Sequence, residues 1–244
     1  MNFSTGSYDP SNITVAATKL SVLCCPSDFK IFEGAAFDPV TYPYIPAGKN
    51  QAHCSYATNS GLWPTIYSPC STPSLAVAVA EENASVGVIY WNSKVSIAAI
   101  TDGTSNTLLL AERGWSYLQV DPLNIRATDA CWWNSAYFSD TSFSAAAPPN
   151  AMKFYRKQFL AGAWWIPIVS ASSFHPGGAN VAFCDGSVRF VSDTIQSWPL
   201  DGAGFPVGIA SPLPYFTWQG MATAQPGVWQ ALTTRNGGEV VPAF

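Results

Sequence analysis

Polar and apolar positions alternate clearly in one place. Asn180-Val181-Ala182-Phe183-Cys184-Asp185-Gly186-Ser187-Val188-Arg189-Phe190-Val191 places an Asp-Gly pair between two apolar–polar runs, the sequence signature of a tight hairpin with a type I′ turn. A two-residue turn at Asp185-Gly186 sets Phe183 against Val188, Ala182 against Arg189 and Val181 against Phe190. Val181, Phe183, Val188 and Phe190 then share one apolar face, and a slip of one residue would bring Arg189 to the core. Elsewhere the pattern is weaker. Residues 12–23 read as a short helix running into a strand, broken by Cys24-Cys25-Pro26 because Pro26 fixes its own φ and extends Cys25. Val86–Trp91 and Val95–Ile100 are β-branched and aromatic and read as strands. Thr101–Asn106 is a turn cluster, and the apolar run Thr107–Glu112 fits a buried strand or a helical turn equally by periodicity. Leu75–Glu82 is a short helix candidate, and Cys54–Ala57 a piece of strand inside a proline-rich stretch. Residues 116–160 and 199–226 read as irregular.

Composition narrows the class. Of 244 residues, 26 are charged, 11% against the roughly 25% of ordinary soluble domains, while apolar residues reach 48% with ten Trp. Such a chain can bury a core and is not intrinsically disordered. With a net charge of −4 and no basic cluster it is no general nucleic-acid binder. Its two histidines, His53 and His175, leave no room for a multi-histidine zinc site. No apolar run reaches the eighteen or so residues of a membrane span, and the start Met1-Asn2-Phe3-Ser4 has no signal-peptide character. The six cysteines, Cys24, Cys25, Cys54, Cys70, Cys131 and Cys184, are even in number and form no C-x-x-C pair. They fit either disulfides in an oxidising compartment or buried free thiols. With the sparse charge, this favours an extracellular protein that packs against something.

Four blocks of residues then carry a resemblance. Cys25-Pro26-Ser27-Asp28 comes first, followed by Ser55-Tyr56-Ala57-Thr58-Asn59-Ser60-Gly61. Ile100-Thr101-Asp102-Gly103-Thr104-Ser105-Asn106-Thr107 with Glu112 is third, and the fourth opens with His175-Pro176-Gly177-Gly178, nine residues separating His175 from Asp185-Gly186-Ser187-Val188-Arg189. A tail, Ala231–Val240, agrees as well. In this order the blocks resemble the planctomycete prepilin-like proteins, a family of unknown function akin to type II secretion pseudopilins. The resemblance implies an α+β, mainly antiparallel β head with long loops, a single domain over residues 1–244. Relatives carry an N-terminal pilin helix that is absent from this chain. It also implies an extracellular or cell-surface structural subunit that acts in assembly, adhesion or secretion without catalysis, partnered by other pilin-like subunits or by its own copies. An apolar patch near residues 1–20, where such a helix packs, goes with this reading.

Candidate chemistry rests on a few side chains. Asp102, Glu112, His175 and Asp185 are the one constellation resembling a metal site, for Ca²⁺ by analogy with calcium-binding pseudopilins. Against this, Asp102 and Asp185 occupy Asp-Gly turns where carboxylates bond nearby N–H groups, and His175 reads more simply as a loop-closing hydrogen-bond residue. Cys25, Asp28, Asn59, Asn106, Gly186 and Arg189 are read as structural motif residues. A secreted hydrolase of polysaccharide or ester and a carbohydrate-binding module are the alternatives. The first requires a cleft around His175 or a carboxylate pair, the second two coplanar exposed Trp rings.

Overall fold

The computed structural model describes residues 1–7, 9–37, 45, 48–64, 83, 85–116, 130–209, 223–239 and 241. The fold is α+β with a mostly antiparallel sheet, as the resemblance implies. Two short strands, β1 (Ala35–Ala36) and β2 (Asn50–Gln51), pair with each other. The main sheet has five strands in the order β5-β3-β4-β6-β7: Ser142–Phe143 (β5), Tyr56–Asn59 (β3), Leu108–Glu112 (β4), Gly178–Phe183 (β6) and Val188–Ser192 (β7). Only the β3–β5 pair is parallel. Among the described residues, the helices that lie wholly within them are α1 (Ile13–Ala16), α2 (Met152–Ala161) and α3 (Val228–Ala231), with 3₁₀ turns between.

One sheet face is buried. Ala57, Leu108, Ala111, Phe143, Val181, Phe183 and Val191 pack there against Trp198, Trp229 and Leu232. A register shift between Leu108 and Leu110 lets Leu108 and Ala111 both point inward although they are three residues apart. The two indoles have polar work as well. Trp198 Nε1 donates to the Ala146 carbonyl at 3.1 Å and Trp229 Nε1 to the Ala147 carbonyl at 2.9 Å. A second cluster gathers Trp63, Trp115, Cys131, Phe159, Trp165 and Val169, with Trp63 and Trp165 edge to face at 5.2 Å. Among the described residues six of nine Trp are thus buried, which accounts for much of the aromatic excess.

The hairpin forms, one residue out of the expected register. Ala182 faces Val188 and Val181 faces Arg189. The reason lies in the loop. Gly186 N–H closes a turn on the Phe183 carbonyl at 3.0 Å, and Phe183 N–H reaches the Ser187 carbonyl at 2.9 Å. Gly186 has φ +85° but Asp185 is not left-handed, so a type I′ turn is not available. The loop has three residues and ends in a left-handed glycine. Arg189 therefore lies on the core side, at its rim, with its guanidinium 4.4 Å from the Phe183 ring centre. Val188 and Phe190 turn outward, 67% and 50% exposed.

Other expectations divide. Residues 108–112 are strand and 101–106 turns. The Val86–Trp91 segment is not a strand: Val88 and Ile89 N–H both bond the single Asn59 carbonyl, which bends the chain. Val95–Ile100 contains a 3₁₀ turn at Ile97–Ala99. In neither place did β-propensity outweigh the local contacts. The irregular span 116–160 contains the start of α2, and the helix candidate Leu75–Glu82 lies outside the described residues. The described cysteines, Cys24, Cys25, Cys54, Cys131 and Cys184, are free thiols. Burial pushes Cys54 up to about 11 and Cys131 up to about 12.

Candidate functional site

Antiparallel pairing decides which candidate residues meet. Because β4 and β6 run in opposite directions, the loop before β4 lies beside the turn after β6, and the end of β4 lies beside the entry to β6. The four acidic and histidine candidates are thereby split between two ends of a five-residue strand, roughly 17 Å apart.

At the first end the carboxylates serve turns. Asp102 accepts Gly237 N–H at 2.7 Å and Gly238 N–H at 2.9 Å, and so fastens the central motif to the tail. Asn106 Nδ2 donates to the Asp102 carbonyl at 3.1 Å. Asp185 Oδ1 accepts Ser187 N–H at 2.8 Å and its hydroxyl at 2.7 Å, bonds that hold the Asp185 carboxyl below its ordinary pKa. Nearby, Asn59 is fully buried. Its Nδ2 donates to the Leu108 carbonyl at 2.7 Å and the Thr233 carbonyl at 3.0 Å, and its Oδ1 accepts Gly61 N–H at 2.9 Å.

At the second end Glu112 and His175 do meet, with His175 Nε2 3.2 Å from Glu112 Oε1. Sequence reasoning placed Cys25 among the structural residues, yet its Sγ lies 3.6 Å from Glu112 Oε1 and 3.6 Å from His175 Nε2. Ser27 Oγ stands 3.0 Å from Cys25 Sγ and 3.3 Å from His175 Nε2. Among the described residues this is the group of three or more metal-capable side chains whose donor atoms lie together.

The site is built by local rules. Cys25-Pro26-Ser27-Asp28 is a β-turn closed by Asp28 N–H on the Cys25 carbonyl at 3.0 Å, with proline at its favoured second position. The turn is anchored by Asp28, which is buried and accepts Trp115 N–H and Ser116 N–H, each at 2.9 Å, the Ser116 hydroxyl, and the Ser55 hydroxyl at 3.1 Å. Burial pushes the Asp28 carboxyl pKa up, and these hydrogen bonds oppose the shift. Cys25 N–H donates in turn to Ser55 Oγ at 3.0 Å. Glu112 is fixed by Asn180, whose N–H reaches Oε2 at 2.8 Å and whose amide reaches Oε1 at 3.1 Å. His175 N–H bonds Ser173 Oγ at 3.1 Å, and Ser173 N–H bonds the Asn150 side chain at 2.6 Å. Asn180 opens the alternating run of residues 180–191 and was open to notice. Asn150 carries no sequence signal beyond its type. Cys25 and Glu112 are buried, while the His175 side chain keeps about a third of its exposure.

The outer face of the sheet continues from this cluster. Val22, Tyr56, Leu110, Trp133, Ala182 and Val188 line an open groove of about 640 Å³, with Glu112 and Asn180 among its walls.

The fold and the convergence of the motif blocks define an α+β domain held by side-chain-to-backbone bonds. The model of the family described as a protein of unknown function (DUF1559) matches residues 1–197, and this chain belongs to that family. No curated protein and no solved structure matches it.

Proposed function

We propose that this chain is the head of a non-catalytic, pilin-like structural subunit of the planctomycete prepilin-like kind. It acts outside the cell or at its surface in assembly, adhesion or secretion, and the outer face of its main sheet packs against neighbouring chains. The observation that carries this reading is the open apolar groove on that face, together with the outward Val188 and Phe190 of β7. An apolar groove with outward Val188 and Phe190 beside it, in a chain with few charges, supports an interaction surface there. Val22, 80% exposed, stands at the rim, so the groove opens beside the segment where the resemblance implies helix packing. Most motif residues bond to backbone rather than face a cleft. Asp28, Asn59, Asp102 and Arg235 all tie separate segments together, as a structural role requires.

Sedimentation velocity over a concentration series tests it. The wild-type chain is expected to self-associate, and the double variant Val188→Asp/Phe190→Asp to remain monomeric while keeping its melting temperature. A wild-type chain that stays monomeric at millimolar concentration overturns the reading. So does turnover of an ester or polysaccharide that is lost in His175→Ala.

A further inference from the structure

We infer that Cys25, Glu112 and His175 form a three-ligand binding site for a tetrahedral divalent transition ion of the Zn²⁺ class. Three distances carry the argument. Tetrahedral zinc has Zn–S of about 2.3 Å and Zn–N or Zn–O of about 2.0–2.1 Å, which places sulfur about 3.5 Å from its nitrogen and oxygen neighbours and nitrogen about 3.3 Å from oxygen. In this protein the separations are 3.6 Å for Cys25 Sγ to His175 Nε2, 3.6 Å for Cys25 Sγ to Glu112 Oε1, and 3.2 Å for Nε2 to Oε1. The three donors outline one face of a zinc tetrahedron.

The alternative chemistry of the same residues is a nucleophilic thiol relayed through histidine to a carboxylate. A relay uses the two ring nitrogens for different partners, one toward the nucleophile and the other toward the orienting acid. Here one nitrogen, Nε2, faces the thiol, the carboxylate and the Ser27 hydroxyl together. A single N–H or lone pair cannot serve all three, but a cation at their common centre can. Charge agrees. A thiolate and a carboxylate, both buried, sum to two negative charges, which a divalent ion cancels. On binding, the Cys25 thiol proton leaves to solvent and sulfur takes the metal bond in its place. The sulfur donor disfavours Ca²⁺, which takes six to eight oxygens.

The supporting bonds match what such a site needs. Asn180 holds Glu112 with two hydrogen bonds, Ser55 holds the Cys25 backbone, and Ser173 holds the His175 backbone. Ser27 Oγ lies against the sulfur–nitrogen edge, within reach of a fourth ligand. The ion would join three segments distant in sequence: the turn before residue 30, the end of β4, and the entry to β6.

The test uses the full chain, reduced and freed of metal, titrated with Co²⁺ and then Zn²⁺. Expected are one equivalent bound and a sulfur-to-cobalt charge-transfer band. X-ray absorption of the zinc form should show one sulfur at about 2.3 Å beside nitrogen and oxygen neighbours. The melting temperature should rise by about 5–10 °C at a free metal concentration a hundred times Kd. Cys25→Ser and His175→Ala should each weaken binding at least about hundredfold, while Asp102→Asn, Asp185→Asn and Cys184→Ser leave it unchanged. If a ligand variant fails to fold, the wild-type spectra still decide. Absence of a bound equivalent, a shell without sulfur, or full-strength binding by folded Cys25→Ser overturns the inference.

Discussion

Both ring nitrogens of His53 are buried without a hydrogen-bond partner, and the ring stacks on Trp115 at 4.2 Å. Burial holds its pKa down at about 3, so the folded protein keeps it neutral. In the unfolded chain it takes up a proton near pH 6.5. The unfolded state therefore binds more protons between pH 6.5 and about 3, and stability present above that window falls as the pH drops through it. The expected slope from this one residue is about 1.4 kcal/mol per pH unit. Urea midpoints measured from pH 7 to pH 4 should show this slope in the wild type and its loss in His53→Phe, whose stability at pH 7 should equal or exceed that of wild type. An unchanged slope in the variant would assign the acid sensitivity to other groups. Asn59 makes the opposite case, because its amide is fully used. Asn59→Ala leaves two carbonyls and one N–H short of partners in the core, and chemical denaturation should report a loss of about 2–4 kcal/mol.

Among the elements, the β6–β7 hairpin shows both the reach and the limit of reading the sequence. The alternation of residues 180–191 was enough to place the two strands, and Asp185-Gly186 to place the turn. The register was not legible, because two-residue and three-residue loops ask for the same Asp-Gly pair and differ only in backbone angles. The candidate site divides in the same way. Glu112 and His175 could be named from their motifs, but their meeting with Cys25 depends on strand order and direction, which no local pattern encodes. Segments 86–91 and 95–100 misled for a related reason: their β-branched residues suit a sheet, but Val88 and Ile89 N–H share the Asn59 carbonyl and Ile97–Ala99 closes a 3₁₀ turn, contacts that a local pattern does not show. The turn supplies its own test. A Cβ at Gly186 meets open space, so Gly186→Ala should cost only the left-handed backbone penalty, about 1–2 kcal/mol. Gly87 differs, since its Cβ would fall on the Ser60–Gly61 backbone. Gly87→Ala should destabilise more than Gly186→Ala in parallel thermal melts. A reversed order would mean that the Gly61–Gly87 contact gives way easily.

At the scale of the whole molecule, the sparse charge and the open sheet face set what the proposed self-association should look like. Strand β7 stands at the end of the sheet order, but it carries Arg189 folded inward over Phe183, a device that discourages pairing strand to strand. The outer face carries no such guard. Leu110, Ala182, Val188 and Phe190 make it mainly apolar beside the uncharged Thr58 and Thr141, and Glu112 at one end is already engaged by Asn180. Contact through this face should then be driven by apolar burial, with little electrostatic contribution. Its dependence on conditions follows: raising NaCl from 0.05 to about 0.5 M, which shortens the Debye length from over 10 Å to under 5 Å, should barely change the dissociation constant. Sulfate should strengthen association, and cooling should weaken it. Sedimentation equilibrium in the three conditions distinguishes the modes. A dissociation constant that rises tenfold or more with NaCl would assign the contact to charged groups away from the sheet and remove the outer face as the docking surface.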